Sequence, residues 1–217
     1  KTNFYAKLSN IFMENLAFSL IKSHPERFKN LFYNITSSNI RILSRTYLSM
    51  ILFTTIIAFP ISLLIIFGLT LNFFLALPLA LVGSFLAFLI TWYYPELEKA
   101  ERGKRIKQEL VFAIVHMAAV AGSGAHPIKI FELLVESKEY KDIEGELQRI
   151  LNHVHLFGYN LSTALRTVAF TTPSDEFKEL LHGISSTIET GGSISDYLKE
   201  KADDALIQYK FDQKKKL

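Results

Sequence analysis

The chain of 217 residues contains no cysteine, which excludes disulfides, thiolate nucleophiles and thiolate-bound metals. Ionisable side chains are also missing from a long stretch: Thr46 to Pro95, fifty residues, holds no Asp, Glu, Lys, Arg or His. A helix rises about 1.5 Å per residue and a bilayer's hydrocarbon core is roughly 30 Å thick, so this run is too long for one span and suits two. A polar interruption sits in its middle, at Gly68-Leu69-Thr70-Leu71-Asn72, which predicts spans over Tyr47–Phe67 and Phe73–Trp92. A soluble core helix of this length would keep a solvated face, and neither segment has one. With no charge in the spans, an ion pathway or an intramembrane protease is excluded for this hairpin. Pro60 and Pro78 fall mid-span, where neighbouring groups can satisfy the freed carbonyls.

What is present is an uneven distribution of charge. Lys1–Tyr47 carries seven Lys/Arg against two Glu, a net +5, whereas Glu96–Leu217 carries seventeen against nineteen acids, a net −2. Arg41 and Arg45 precede the first span. Lys99, Arg102, Lys104, Arg105 and Lys107 follow the second, after an aromatic belt of Trp92, Tyr93 and Tyr94. The turn between the spans is uncharged. The positive-inside rule therefore places both flanks in the cytoplasm of a cell-membrane protein. Attraction of the basic arm to anionic lipid accounts for its charge without nucleic acid. No signal peptide is visible in Lys1–Leu20.

Residues 1–46 read as two short amphipathic helices. The first carries a stripe at Phe4, Leu8, Ile11, Phe12, Leu16 and Leu20; the second, after His24-Pro25, one at Phe28, Leu31, Phe32 and Ile35. The arm is either an interfacial membrane helix or, more simply, one face of a cytoplasmic bundle. After the hairpin (residues 47–94), residues 95–217 read as helical. Glu96–Ala121 forms one long helix, and turns are expected at Gly145, Gly158, Pro173 and Gly191-Gly192. Three segments echo one another: Gly124-x-x-Pro127-x-x-Ile130-Phe131, Gly158-x-x-Leu161-x-x-Ala164-Leu165 and Gly191-x-x-Ile194-x-x-Tyr197-Leu198. Their spacings are 34 and 33 residues. In each a Gly ends one helix and a polar residue (His126, Asn160, Ser193) caps the next. Thr172-Pro173-Ser174-Asp175-Glu176 reads as a further start, with Thr at the cap and Pro at the first position. The fold class is an all-α membrane protein: a two-helix transmembrane hairpin plus a cytoplasmic antiparallel bundle of about six helices.

A convergent chemical site is not apparent. There is no G-x-x-x-x-G-K-[ST] loop and no G-x-G-x-x-G after a strand. His153-x-His155 would point its rings to different helix faces. Glu179-x-x-His182 is half of a di-iron motif that requires a second copy. His116, in an apolar helix, reads better as a core or capping residue than as a phospho-acceptor. No cofactor, metal or catalytic role is assigned.

From Tyr94-Pro95 onward the sequence resembles the type II secretion system F domain. The resemblance rests on Leu110-Val111-Phe112-Ala113-Ile114-Val115-His116-Met117-Ala118-Ala119, then Gly124 and Pro127. Thr172-Pro173-Ser174-Asp175-Glu176-Phe177, Thr190-Gly191-Gly192 and Tyr197-Leu198 are similar to its archaeal branch, the platform proteins of archaella and archaeal type IV pili. Pro25-x-x-Phe28-Lys29-x-Leu31 sits as that branch's arm does. The resemblance implies a non-enzymatic scaffold of the cell membrane that anchors a filament base, with pilin-like subunits, a hexameric secretion ATPase and the lipid bilayer as partners, and a homodimer as a further option. It also implies that the chain is the N-terminal part of a longer platform, with Lys214-Lys215-Lys216-Leu217 approaching a further membrane segment. On this reading the ATPase-contact candidates are Glu101, Arg102, Lys104, Arg105 and Lys107 of the charged neck, with Asp142, Glu144 and Glu146 in an exposed turn. Gly124, Pro127, Gly158, Pro173, Gly191 and Gly192 are structural turns. The alternative is a two-span adaptor or sensor whose helical repeats bind a peptide.

Overall fold

The computed structural model describes residues 4–40 and 42–215; Lys1, Arg41 of the flanking charge, and Lys216-Leu217 of the terminal cluster lie outside it. Among the described residues there are nine α-helices and no strand. They are α1 (Phe4–Ser23), α2 (Pro25–Ser37), α3 (Ser44–Thr70), α4 (Phe73–Gly122), α5 (Pro127–Ser137), α6 (Lys141–His155), α7 (Leu161–Thr171), α8 (Asp175–Glu189) and α9 (Ile194–Lys215). The chain divides into two compact units between Lys99 and Ala100.

The first unit is built on α3 and the opening stretch of α4. Both are long and apolar enough to cross a membrane, and only 11 % of the most apolar eighteen residues of each is buried. Side chains such as Ile56, Leu64, Phe74, Leu81 and Ile90 point outward. This is the arrangement of a transmembrane hairpin, whose solvent is lipid. The turn is tighter than the sequence suggests. Gly68 remains helical, and only Leu71 (φ 51°) and Asn72 leave the helix. The Leu71 amide bonds back to Phe67, and the Asn72 side chain accepts the Phe74 amide at 3.1 Å.

Hydroxyls join the spans through backbone carbonyls, as expected where lipid offers no competing partner. Ser62 donates to the Ala80 carbonyl at 3.1 Å, and Ser84 to that of Thr55 at 2.9 Å. The second span and the helix over Glu96–Ala121, read as separate segments from the sequence, are one element, and α4 continues through Pro95. Proline lacks the amide that would serve the carbonyl four residues earlier. Here that carbonyl belongs to Thr91, and the Tyr47 hydroxyl donates to it at 2.9 Å.

In the arm, α2 buries Phe28, Leu31 and Ile35 against Tyr47, Leu48 and Ile51. Helix α1 departs from expectation. Its buried residues are Ala6, Ser9 and Ala17, while Phe4, Ile11, Phe12, Leu16 and Leu20 are exposed. Small side chains bring α1 close to α3, a contact that the hydrophobic stripe would hold apart.

The second unit packs α4 from Ala100 onward with α5–α9. Consecutive helices pair in order: α5 with α6, α6 with α7, α7 with α8, α8 with α9. Ile106, Leu110 and Met117 of α4 join Phe131, Leu134, Ile143, Leu147, Ile150, Leu165, Phe177, Leu181 and Leu198 in one core. Gly124, Gly158 and Gly191 have φ of 78°, 69° and 70°, the left-handed conformation that stops a helix without a Cβ penalty. The next helices begin at Pro127, Leu161 and Ile194, three residues after each. Asn160 and Ser193 cap with their side chains; His126 does not. Gly145 lies inside α6 and marks no turn. The cap of α8 is Ser174, which accepts the Phe177 amide, so Thr172 and Pro173 precede the helix. With Ser174 as the cap, Asp175 and Glu176 occupy the first turn, where acids suit the helix dipole.

Candidate functional site: the charged neck and α6

The charged residues after the second span occupy α4 at helical spacing. Ile106, Leu110 and Ala113 face the core, while Arg102, Arg105 and Glu109 lie along a neighbouring row three and four residues apart. That row meets the start of α6. Arg102 and Glu146 form an ion pair at 2.7 Å with side chains 4 % and 0 % exposed. Arg149 reaches the other oxygen of Glu146 at 3.0 Å. Arg105 pairs with Asp142 at 3.1 Å. Glu109 accepts the backbone amides of Asp142 and Ile143 at 3.0 and 3.2 Å. It thus supplies the N-terminal cap of α6, whose own flanking residue Tyr140 makes no side-chain cap. The positive end of the helix dipole favours this carboxylate.

The two candidate contact patches are therefore largely each other's partners. Arg102 and Glu146 are interior groups, and burying a charge requires such a partner. Glu101, Lys104 and Lys107 remain at the surface, with Arg105, Asp142 and Glu144 half-buried beside them. Glu101 lies near Arg105 at 3.8 Å, and Lys107 pairs with Glu176. Burial pushes the Glu176 carboxyl up, but hydrogen bonds from Lys107, its own amide and Ser174 outweigh this and hold it below the usual carboxylate range.

Glycine sets how closely this neck packs. A Cβ on Gly103 would stand 2.8 Å from the carbonyl oxygen of Pro173, so the α7–α8 turn rests on the α4 backbone. Neither Gly103 nor Glu109 carries a signal in the sequence. A helical glycine and one more surface-type acid acquire meaning only when the neighbouring helix is placed.

Three of the histidines have local partners. His153 stacks on Tyr159 at 5.5 Å, His155 bonds Glu132 at 3.1 Å, and His116 lies 3.5 Å from the Tyr140 hydroxyl. Glu179 pairs with Lys201 at 2.9 Å. Among the described residues, no three His, Asp or Glu are arranged to hold a metal.

Two helices long and apolar enough to form a transmembrane hairpin, followed by a helical bundle, define an all-α membrane-protein architecture. Residues 113–217 match the family model of type II secretion system (T2SS), protein F. It is 27 % identical over 143 residues to Flagella accessory protein J of Methanococcus voltae, covering 65 % of this chain and 25 % of that protein. Two uncharacterized proteins of Methanocaldococcus jannaschii also match. One is 25 % identical over 201 residues, 91 % of this chain and 32 % of its own length; the other is 26 % identical over 100 residues, 46 % and 30 %. The chain thus spans a quarter to a third of the length of these relatives. No solved structure matches.

Proposed function

We propose that the chain is the membrane-anchoring and first cytoplasmic part of an assembly platform for an archaellum, a type IV pilus or a related filament. The observation that carries this is the F-type domain following a hairpin whose apolar faces point outward. The similarity to Flagella accessory protein J points to the same system. In this reading the hairpin sits in the cytoplasmic membrane with both flanks inside, as its basic residues favour. The bundle engages a hexameric secretion ATPase below and pilin-like subunits pass above. The chain itself performs no catalysis.

The surface offered to the ATPase is the rim left outside the neck's internal pairs: Glu101, Lys104 and Lys107, with Glu144 beside them. Arg102 and Glu146 hold that rim in shape and do not form it. A charge reversal at Lys104 tests this without disturbing the interior. The full-length platform carrying Lys104→Glu and Glu101→Lys should retain less of its cognate secretion ATPase in co-purification from membranes, with an unchanged melting temperature. Undiminished retention would remove the rim from the interface. Failure of the unaltered platform to retain the ATPase would remove the partnership itself.

A further inference from the structure

Helix α1 lies against the first span. The two run antiparallel: the Tyr5 hydroxyl meets that of Thr54 at 2.7 Å, the Asn10 side chain donates to Thr46 at 3.2 Å, and Arg45 stands 5.0 Å above the Phe18 ring. Tyr5 and Phe12 both pack on Phe53. Thr54 is nine residues into α3 from Arg45, the last charge before the span, which is about 13 Å along a helix. A helix start at that level lies within one leaflet's hydrocarbon, since the whole core is roughly 30 Å thick.

The outward face of α1 fits that depth. Phe4, Ile11 and Phe12 are 80 %, 77 % and 63 % exposed, while the protein-facing side is the small-residue row Ala6, Ser9 and Ala17. Lys7 and Glu14, seven residues apart, share one edge, from which long side chains can reach the headgroups. The outward face continues the lipid-facing surface of α3, exemplified by Ile56. We propose that α1 is a third membrane-embedded element, inserted into the leaflet that holds Arg45, with Phe4, Ile11 and Phe12 against acyl chains. Water could not solvate that face cheaply: exposed apolar area is disfavoured by about 25 cal/mol per Å².

The inference rests on α3 being a span and not on the filament-platform reading. Because the chain lacks cysteine, spin labels can be placed one at a time at Phe4, Ile11 and Phe12 in the full chain reconstituted into phospholipid nanodiscs. Ile56→Cys serves as the lipid reference and Lys199→Cys, on α9, as the aqueous one. The ratio of oxygen to nickel-chelate accessibility should exceed that at Lys199 at all three positions, rising along α1 from Ile11 and Phe12 to Phe4 towards the value at Ile56. An aqueous ratio at all three, with Ile56 still lipidic, overturns the proposal. Low accessibility to both relaxers also overturns it, because a protein surface such as a second copy would then cover α1. An aqueous reading at Ile56 would instead reject the hairpin.

Discussion

Arg102 and Glu146 meet at 2.7 Å inside the bundle, joining the stretch of α4 after the second span to the second turn of α6. Removing Arg102 leaves the buried Glu146 with the half-buried Arg149 as its remaining counter-charge; breaking a buried pair costs up to about 3–5 kcal/mol, whereas an apolar pair of similar volume is often neutral. Arg102→Met should therefore lower the melting temperature of the detergent-solubilised protein sharply. Arg102→Met with Glu146→Leu should recover most of the loss. Equal loss in the single and double variants would show that the pair does not act as a unit.

Glu109 caps α6 from another helix, so its loss should act locally. Glu109→Ala should cost about 1 kcal/mol, the usual value of a cap. In hydrogen exchange the amides of Asp142 and Ile143 should lose protection ahead of those in the middle of α6. Uniform loss along α6 would contradict the capping role.

Gly103→Ala forces the Pro173 carbonyl away and should destabilise by about 1–3 kcal/mol, as overpacking does. Gly122→Ala, at the end of the same helix, meets nothing within 4 Å and should be neutral or slightly stabilising. A third glycine distinguishes space from conformation: Gly183→Ala would collide with the Tyr197 ring, and Tyr197→Leu should relieve it. Thermal melts of the single and paired variants read these differences.

Tyr47→Phe leaves the Thr91 carbonyl without the hydroxyl that serves it at Pro95. The loss should be about 1 kcal/mol, in the range of interhelical hydrogen bonds in membranes. In a Pro95→Ala background the helix supplies its own amide, and Tyr47→Phe should then cost little. An unchanged cost in both backgrounds would separate Tyr47 from the proline.

Glu176 makes the second unit acid-sensitive. Its folded-state pKa is lowered, so its contribution is present above the ordinary carboxylate value near 4.3 and is lost as pH falls through the folded value. The difference in melting temperature between the natural protein and Glu176→Gln should shrink on acidification below about pH 5 and stay constant from there to neutrality.

The spans are legible in the sequence because lipid demands a composition that water does not: fifty consecutive residues without a charge leave no face fit for solvent. The glycine-to-helix spacing at Gly124, Gly158 and Gly191 is equally readable, since a left-handed stop is a local requirement. Arg102 and Glu146 resist such reading because both types belong on surfaces by default, and only the placement of α6 against α4 shows that they share an interior. The orientation of α1 is hidden for a similar reason. An apolar stripe suggests a face turned to protein, yet the tight contact is made by Ala6, Ser9 and Ala17, and which face is buried depends on the solvent.

The bonds at Ser62–Ala80, Ser84–Thr55 and Tyr47–Thr91 bear on how the protein is made. Each gives a backbone carbonyl of one span a hydroxyl from the other. When the ribosome delivers α3 alone, the hydroxyl of Tyr47 has no such acceptor, and when α4 follows it brings a proline-depleted carbonyl with it. The two spans are therefore stabilised in lipid as a pair, each supplying hydrogen-bond partners that the other lacks when alone.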